Sequence, residues 1–319
     1  MKLTVIKLTV ISLVSFLLFG STSVLSQPSI GAYRYKTVAP GVDKKIFGVM
    51  QNYFDAIAEG DVAGHVGVSK FGHGDDSDSG EEVWDGANNA TGPGPGPYTF
   101  LNDDVFATMY ISSDDAADLS ISYNVQGIDS NYNHASRTCT TDASSGFNFV
   151  ACDSGSADNT DIAGDDTNMW WRIYRVKCIK AQTNTKGACA AGNIMISSSN
   201  VDTAGGANGI PDTASTIKAI VEPEHNQTEM AIWTVPSGKT FYLTSFYVGA
   251  IDNTDVVFGI YVREFNSSQQ NKKVAVVNAN TSPIPWVVPI AVPEKSDIYI
   301  RVLTATNAET VAGFDGWYE

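Results

Sequence analysis

The chain runs to 319 residues, of which 43% are hydrophobic, and 20 Lys+Arg against 35 Asp+Glu leave a net charge of −15. The apolar share fills a packed core and excludes a disordered chain, and the acidic balance excludes a groove that wraps nucleic acid, because phosphate binding needs a basic face. With 28 Gly, 12 Pro and 25 of the 35 acids being Asp, a mostly helical chain is excluded too, since Asp bonds its own backbone in turns whereas Glu favours helices.

At the N-terminus Lys2 and Lys7 lead into an apolar run, Leu8 to Phe19, followed by small polar residues and a Val24-Leu25-Ser26 cleavage site before Gln27. The run is shorter than the about 20 residues a membrane span needs. Residues 1–26 therefore read as a secretory signal peptide, an uncleaved anchor or a buried helix being the alternatives. No later stretch is apolar enough to span a bilayer, so the mature chain is expected to be soluble and secreted. Residues 27–60 form an N-terminal arm and helix: Asp43 offers an N-cap, and the helix ends at Gly60. Ile46, Val49, Met50, Tyr53, Phe54 and Ile57 make one apolar stripe. The stripe packs either on its own domain or, with the arm, on another copy.

From Asp61 onward short strands alternate with turns. The candidates are 65–71, 105–112, 119–126, 147–151, 169–180, 192–198, 215–221, 228–235, 239–249, 255–265, 273–279, 285–291, 297–304 and 311–317. No helical segment separates them, which argues against βαβ units and predicts an all-β antiparallel sandwich or jelly roll. Residues 72–97, with the run Asp75-Asp76-Ser77-Asp78 and a Gly/Pro tract ending at Pro97, read as an exposed loop. The Gly/Asn/Asp-rich segment 199–214 marks a boundary between a first sandwich, 61–200, and a C-terminal jelly-roll-like unit, 214–319. Four cysteines allow three pairings; the two local ones, Cys139 with Cys152 and Cys178 with Cys189, bracket turns and would each staple the two arms of a hairpin. Such pairing fits an oxidising compartment. A zinc site is disfavoured, because no Cys-x-x-Cys occurs and His134 is the one histidine nearby.

The residues offer few motifs of chemistry. Asp75, Asp76, Asp78, Glu81 and Glu82, and separately Asp158, Asp161, Asp165 and Asp166, could supply oxygen ligands to calcium, or could equally be solvated turns. The histidines at 65, 73, 134 and 225 sit in no metal or nucleophile motif, and no nucleophile elbow or phosphate loop occurs. The expectation is no enzyme, no catalytic residues and no cofactor. Trp84, Trp170, Trp171, Trp233, Trp286 and Trp317 are mainly core. Trp170 and Trp171 are adjacent, so on a strand one of them faces outward and is the candidate contact surface, for a subunit or for a sugar ring. Asn-x-Ser/Thr sequons stand at Asn89, Asn226, Asn266 and Asn280.

A run of phrases in order carries a resemblance: Gly64-His-Val-Gly-Val-Ser-Lys-Phe-Gly72, Glu82-Val-Trp-Asp-Gly86, Tyr110-Ile-Ser-Ser-Asp-Asp115, Val125-Gln-Gly-Ile-Asp-Ser-Asn-Tyr132, Trp171-Arg-Ile-Tyr-Arg175, Asn226 to Lys239, and Pro293-Glu-Lys-Ser-Asp-Ile298. Over residues 55–319 the chain resembles virion-associated structural proteins of tailed bacteriophages. The resemblance implies a β-sandwich building block displayed on a particle, with no known active site to carry over; self-association would run through the arm and amphipathic helix. Two features depart from it: phage structural proteins assemble in the cytoplasm without a signal peptide, and they rarely carry disulfides. Both point to export, as a virion-surface or extracellular fibre protein. A secreted glycan-binding adhesion module is the alternative.

Overall fold

The computed structural model describes residues 53–86, 96–152, 169–180, 189–203, 207–251, 255–278 and 281–319. Two compact units divide the chain, Met1–His65 and Val66–Glu319. In the first, the described part is a short helix, α1 (Tyr53–Ala58). It ends in a Schellman motif: the Asp61 N–H donates to the Ala56 carbonyl at 2.8 Å and the Gly60 N–H to the Ile57 carbonyl at 3.0 Å. Gly60 takes φ 75°, a left-handed conformation that a side chain would resist. The stop at Gly60 is as expected, while the leader, the arm, the Asp43 cap and most of the apolar stripe lie outside the described residues.

Among the described residues the second unit carries fifteen strands, and the all-β antiparallel fold is the one expected. One sheet runs in the order β1 (Val66–Ser77), β15 (Ala308–Tyr318), β10 (Phe241–Ala250), β13 (Thr281–Val292); another runs β12 (Gln270–Asn278), β11 (Asp255–Arg263), β14 (Asp297–Thr304), β9 (Ile232–Thr234). Their inward side chains share one core, in which Phe241, Phe246, Phe258, Ile260, Ile300 and Phe314 meet. A second core joins the sheet β5 (Val150–Cys152), β2 (Met109–Ser113), β7 (Ile194–Ser197), β8 (Ile217–Val221) to the sheet β4 (His134–Thr140), β3 (Ser122–Asp129), β6 (Trp170–Lys180). Met109, Ile111, Tyr123, Val125, Trp170 and Ile196 fill it. Strand β4 was not expected from sequence: His-Ala-Ser-Arg-Thr-Cys-Thr is polar, and only Ala135 and Cys139 turn inward.

Strand pairing crosses the expected boundary at 199–214. β1 precedes every other strand yet pairs antiparallel with β15, from Val66 opposite Tyr318 to Ser77 opposite Ala308, which makes β15 an inner strand and β1 the edge of that sheet. β8 lies C-terminal to the boundary yet pairs with β7. The expected loop 72–97 is also shortened, because Gly72–Ser77 continues β1. At the far end of that loop Gly96 is buried, donating its N–H to the Gly86 carbonyl at 3.0 Å and accepting from the Trp84 indole N–H at 3.1 Å.

Strand β6 is where the two cores meet. Successive side chains of a strand point to opposite faces, and here Trp170 enters the second core while Trp171 enters the first, both fully buried. The expectation that one of this pair faces outward is therefore corrected: both faces of β6 are covered at this point, so neither indole is a contact surface. Gly127 on β3 lets β6 approach, since a Cβ there would come within 2.0 Å of the Arg172 carbonyl oxygen and 2.9 Å of the Trp170 ring.

Beside Trp171 sits a buried ion network. Arg172 Nε donates to Asp297 Oδ1 at 3.0 Å and Nη2 to Oδ2 at 3.1 Å. Arg263 donates from Nε to the same Oδ2 at 3.1 Å and from Nη2 to Asp103 Oδ1 at 2.9 Å. The Thr234 hydroxyl donates to Asp297 Oδ1 at 2.7 Å. The Arg172 guanidinium also stacks over Trp171 with its carbon 4.1 Å from the ring centre. One carboxylate thus ties β6 to β9, β11 and β14.

The disulfides join the expected partners, Cys139 with Cys152 and Cys178 with Cys189. They do not staple hairpin arms as the sequence suggested. Cys139 on β4 and Cys152 on β5 belong to the two facing sheets of the second core, so that bond clamps sheet to sheet. Loops of 13 and 11 residues correspond to about 3 kcal/mol each in the chain-entropy account.

Burial would by itself raise the Asp297 carboxyl, but the charge and hydrogen bonds of Arg172, then of Arg263, overcome it and hold it below 3.8. A depressed folded pKa stabilises the protein above the unfolded value and loses that contribution as pH falls below about 3.8 toward the folded value. Asp297→Asn leaves the buried Arg172 and the half-buried Arg263 guanidiniums short of their counter-charge and should cost about 3–5 kcal/mol. Urea unfolding at neutral pH measures this, and the gap between variant and parent should narrow in acid.

Candidate functional site

The described residues bring one cluster of chemically capable side chains together at the surface of the first core. His73 and Asp75 stand two apart on β1, so they share a strand face. His73 pairs across the sheet with Val311, and Glu309 stands two residues before Val311 on β15. The backbone N–H of His73 donates to the Glu229 carbonyl at 3.2 Å, anchoring the segment that leaves β8 and returns toward β9. In that segment Glu224 and Asn226 take φ of 72° and 61°, so His225 is presented between two left-handed residues. For non-glycine residues such conformations cost on the order of 1–3 kcal/mol each and recur at functional sites.

The distances are short on every side of His73. Its Nδ1 lies 3.4 Å from Asp75 Oδ1 and 3.8 Å from Glu229 Oε2, and its Nε2 lies 3.3 Å from Glu309 Oε1. His225 Nδ1 lies 3.7 Å from both Glu229 Oε1 and Glu222 Oε2. The two imidazole centroids are 6.4 Å apart. His73, His225 and Glu229, with Phe71, Tyr247 and Val311, line a shallow open cleft of about 280 Å³.

Asp85 borders this group. Its Oδ2 accepts the Glu229 N–H at 2.7 Å, while its Oδ1 is buried without a hydrogen-bond partner. Burial, then the negative charges of Glu222, Glu229 and Asp75, push its carboxyl well above the ordinary range. Burial likewise raises Glu222, with Asp75 adding to it. Nearby, the buried Lys70 ammonium donates to the Tyr174 carbonyl; burial first, and the Arg175 charge second, bring its pKa down to about 7 against a smaller opposing pull from Asp85. Asp85 and Lys70 are both driven toward their neutral forms.

Of the two acidic runs that could supply calcium ligands, the first is not assembled into one site. Asp75 faces His73, whereas Asp78 Oδ1 accepts from the Asn307 N–H at 3.1 Å. Glu81 accepts the Asp78 N–H at 2.9 Å, and Glu82 is buried, with Arg301 Nε donating to it at 3.1 Å and the Tyr98 N–H at 2.9 Å. The alternation of β1 and the recruitment of both glutamates into internal bonds disperse the set. Asp158, Asp161, Asp165 and Asp166 lie outside the described residues. Of the tryptophans, Trp84, Trp170, Trp171, Trp233 and Trp317 are buried, and Trp286 is partly covered against the first core, so the glycan reading loses the aromatic platform it was built on. Among the sequons, the Asn226 amide is engaged, its Oδ1 accepting from the Cys189 N–H at 2.7 Å and its Nδ2 donating to the Glu224 carbonyl at 3.0 Å.

Sequence reading missed the His73 cluster because its members come from three distant segments. The local hints were His73-x-Asp75 and Glu222-x-x-His225-x-x-x-Glu229, spacings too common to single out until β1 and β15 are paired.

No family model matches the chain, and no curated protein matches it. Among solved structures it is similar to a fragment holding the cysteine protease and lectin-like domains of a surface-layer-associated protein of Clostridium difficile, at 10% identity, 65% of this chain, 53% of that chain and a TM-score of 0.17. It is also similar to a chain of infectious bursal disease virus, Gt strain, at 9% identity, 80% of this chain, 72% of that chain and a TM-score of 0.16. The chain thus spans about half the length of the first of these, and likenesses this slight carry no argument about function.

The Lys70 reading is testable. A folded pKa of about 7 against 10.5 means that the unfolded chain binds the extra proton between those values, so this residue's penalty is full below about pH 7 and fades as pH rises toward 10.5. Lys70→Met should therefore be more stable than the parent at pH 6, with the advantage shrinking steadily by pH 10. Paired urea titrations at the two pH values give the comparison.

Proposed function

We propose that this protein is a non-enzymatic structural component of a virion surface or extracellular fibre, exported behind the leader at residues 1–26 and assembled from copies of itself. The observation that carries this reading is on strand β13. Leu243 pairs with Ile290 and Ser245 with Pro285, so residues 286–289 of β13 bulge out opposite Thr244 alone. At the tip Val287 is 96% and Val288 73% exposed, a degree of apolar exposure that marks an interaction site.

The occupant that fits is a second copy of this chain. The neighbouring edge strand β12 adjoins the bulge through Lys273, whose Nζ lies 5.2 Å from the Trp286 ring centre, and on its own outward face it carries the exposed Val274 and Val276. Lys273 thus places a positive charge beside the bulge on a chain of net charge −15, which suits contact with the acidic surface of another copy. Pro283, Pro285 and Pro289 cannot donate to a continuing ladder, so the contact is through side chains and not through strand addition. The fold supports a display role: two cores that share strands β3, β6, β9 and β14, the second stapled by disulfides, make a stiff body. The arm at 27–52 would add to assembly.

Val287→Asp with Val288→Asp should leave thermal stability nearly unchanged, within about 0.5 kcal/mol per site, yet abolish concentration-dependent association in sedimentation velocity. A parent chain that stays monomeric at high concentration would remove the proposal. Export is tested separately by mass: native protein beginning at Gln27, with about 2 Da lost per disulfide bridge, is the expected result.

A further inference from the structure

We infer that His73, Asp75 and Glu309 hold a divalent first-row transition-metal ion of the zinc type, with Glu229 and His225 placed to complete its coordination. One ligand atom from each of the first three already lies within 4.8 Å of the others, and the two contacts to His73 are 3.4 and 3.3 Å. The Asp75 contact is to His73 Nδ1 and the Glu309 contact to Nε2, so one ion takes one of the two nitrogens; at Nδ1, Asp75 Oδ1 at 3.4 Å and Glu229 Oε2 at 3.8 Å stand near the roughly 3.3–3.4 Å that separates neighbouring ligands of a tetrahedral zinc. Glu229, within 3.8 Å of His73 and 3.7 Å of His225, supplies the next carboxylate and holds the second imidazole at the cleft mouth.

Two further observations point to a cation here. Asp85 is only 6% exposed and its Oδ1 lacks a hydrogen-bond partner, although the same carboxyl accepts the backbone N–H of Glu229. An unpaired buried carboxyl oxygen costs free energy, and it stands beside a group already crowded with negative charge. Among the described residues, the ion pairs of Asp75, Glu229 and Glu309 all run to His73 or His225 and none to a lysine or arginine. A divalent ion supplies the positive charge that the cluster lacks. Imidazole ligation selects zinc, copper or nickel over calcium and magnesium, which prefer all-oxygen sites. This assignment is independent of self-assembly through β13: the two surfaces share no residue.

The test uses the full untagged chain, stripped with chelator, and isothermal titration with zinc chloride and, in parallel, calcium chloride at pH 7.5. Zinc should bind at one ion per chain, raise the melting temperature and shift the imidazole proton resonances of His73 and His225; calcium should do none of these. His225→Ala, at a partly exposed position that the core does not need, should weaken zinc by about tenfold or more. Glu309→Gln should weaken it further, and His73→Ala should abolish it. Absence of zinc binding by the stripped parent would overturn the assignment, as would equal affinity in the parent and in the folded His225→Ala and Glu309→Gln variants, which places the ion elsewhere. Imidazole resonances that respond to pH but not to zinc would show that protons alone balance the cluster.

Discussion

Asp297 is the residue on which the architecture turns. A carboxylate with 1% exposure would normally be too costly to bury, and it is tolerated because two arginines and a threonine hydroxyl converge on its two oxygens. Each arginine comes from a different sheet: Arg172 from β6 of the second sandwich and Arg263 from β11 of the first. The network is therefore a polar weld at a point where two hydrophobic cores abut. Apolar packing alone is non-directional, whereas a bidentate guanidinium fixes the angle as well as the distance. That fixed geometry lets Trp170 and Trp171, one residue apart, fill two different cores.

Elsewhere aspartate serves as a loop organiser. Asp118 accepts from the Ser113 hydroxyl at 2.6 Å, the Ala191 N–H at 2.8 Å and the Gly192 N–H at 3.0 Å. Asp114 gathers the Asn193 backbone and side chain at 2.6 and 2.8 Å. Asp142 takes the N–H groups of Ser144 and Ser145 at 2.7 and 3.2 Å and the Asn148 amide at 3.0 Å; the bonds to Ser144, then Asn148, hold its carboxyl down to about 2. Much of the acidic surplus is thus spread through turns, each carboxylate already supplied with donors. The His73 cluster is different in kind: several carboxylates crowd two imidazoles, and one neighbouring buried oxygen has no donor.

The two proposals place function at opposite edges of one sheet. In the order β1, β15, β10, β13, the cation cluster sits at the β1–β15 end and the apolar bulge on β13. A rigid sheet with one edge for an ion and the other for a second copy fits a component whose task is to hold position. The disulfides act on the other sandwich.

The amino-acid order determined the class of the fold. Short β-branched and aromatic runs between Gly, Asn and Asp turns can form only strands, and all but one of the strands were visible for that reason. It also suggested the cysteine pairing, since each pair sits close in the chain. What it could not decide was adjacency. Pattern shows which residues of a strand turn inward, yet says nothing of which strand lies beside it, so the pairing of β1 with β15 and of β8 with β7 appeared only in three dimensions. The same limit hid the His73 cluster and the Asp297 weld, whose members are dispersed from His73 to Glu309 and from Asp103 to Asp297. Burial of both Trp170 and Trp171 was equally out of reach, because alternation predicts opposite faces and only a second core covering the other face makes both of them interior.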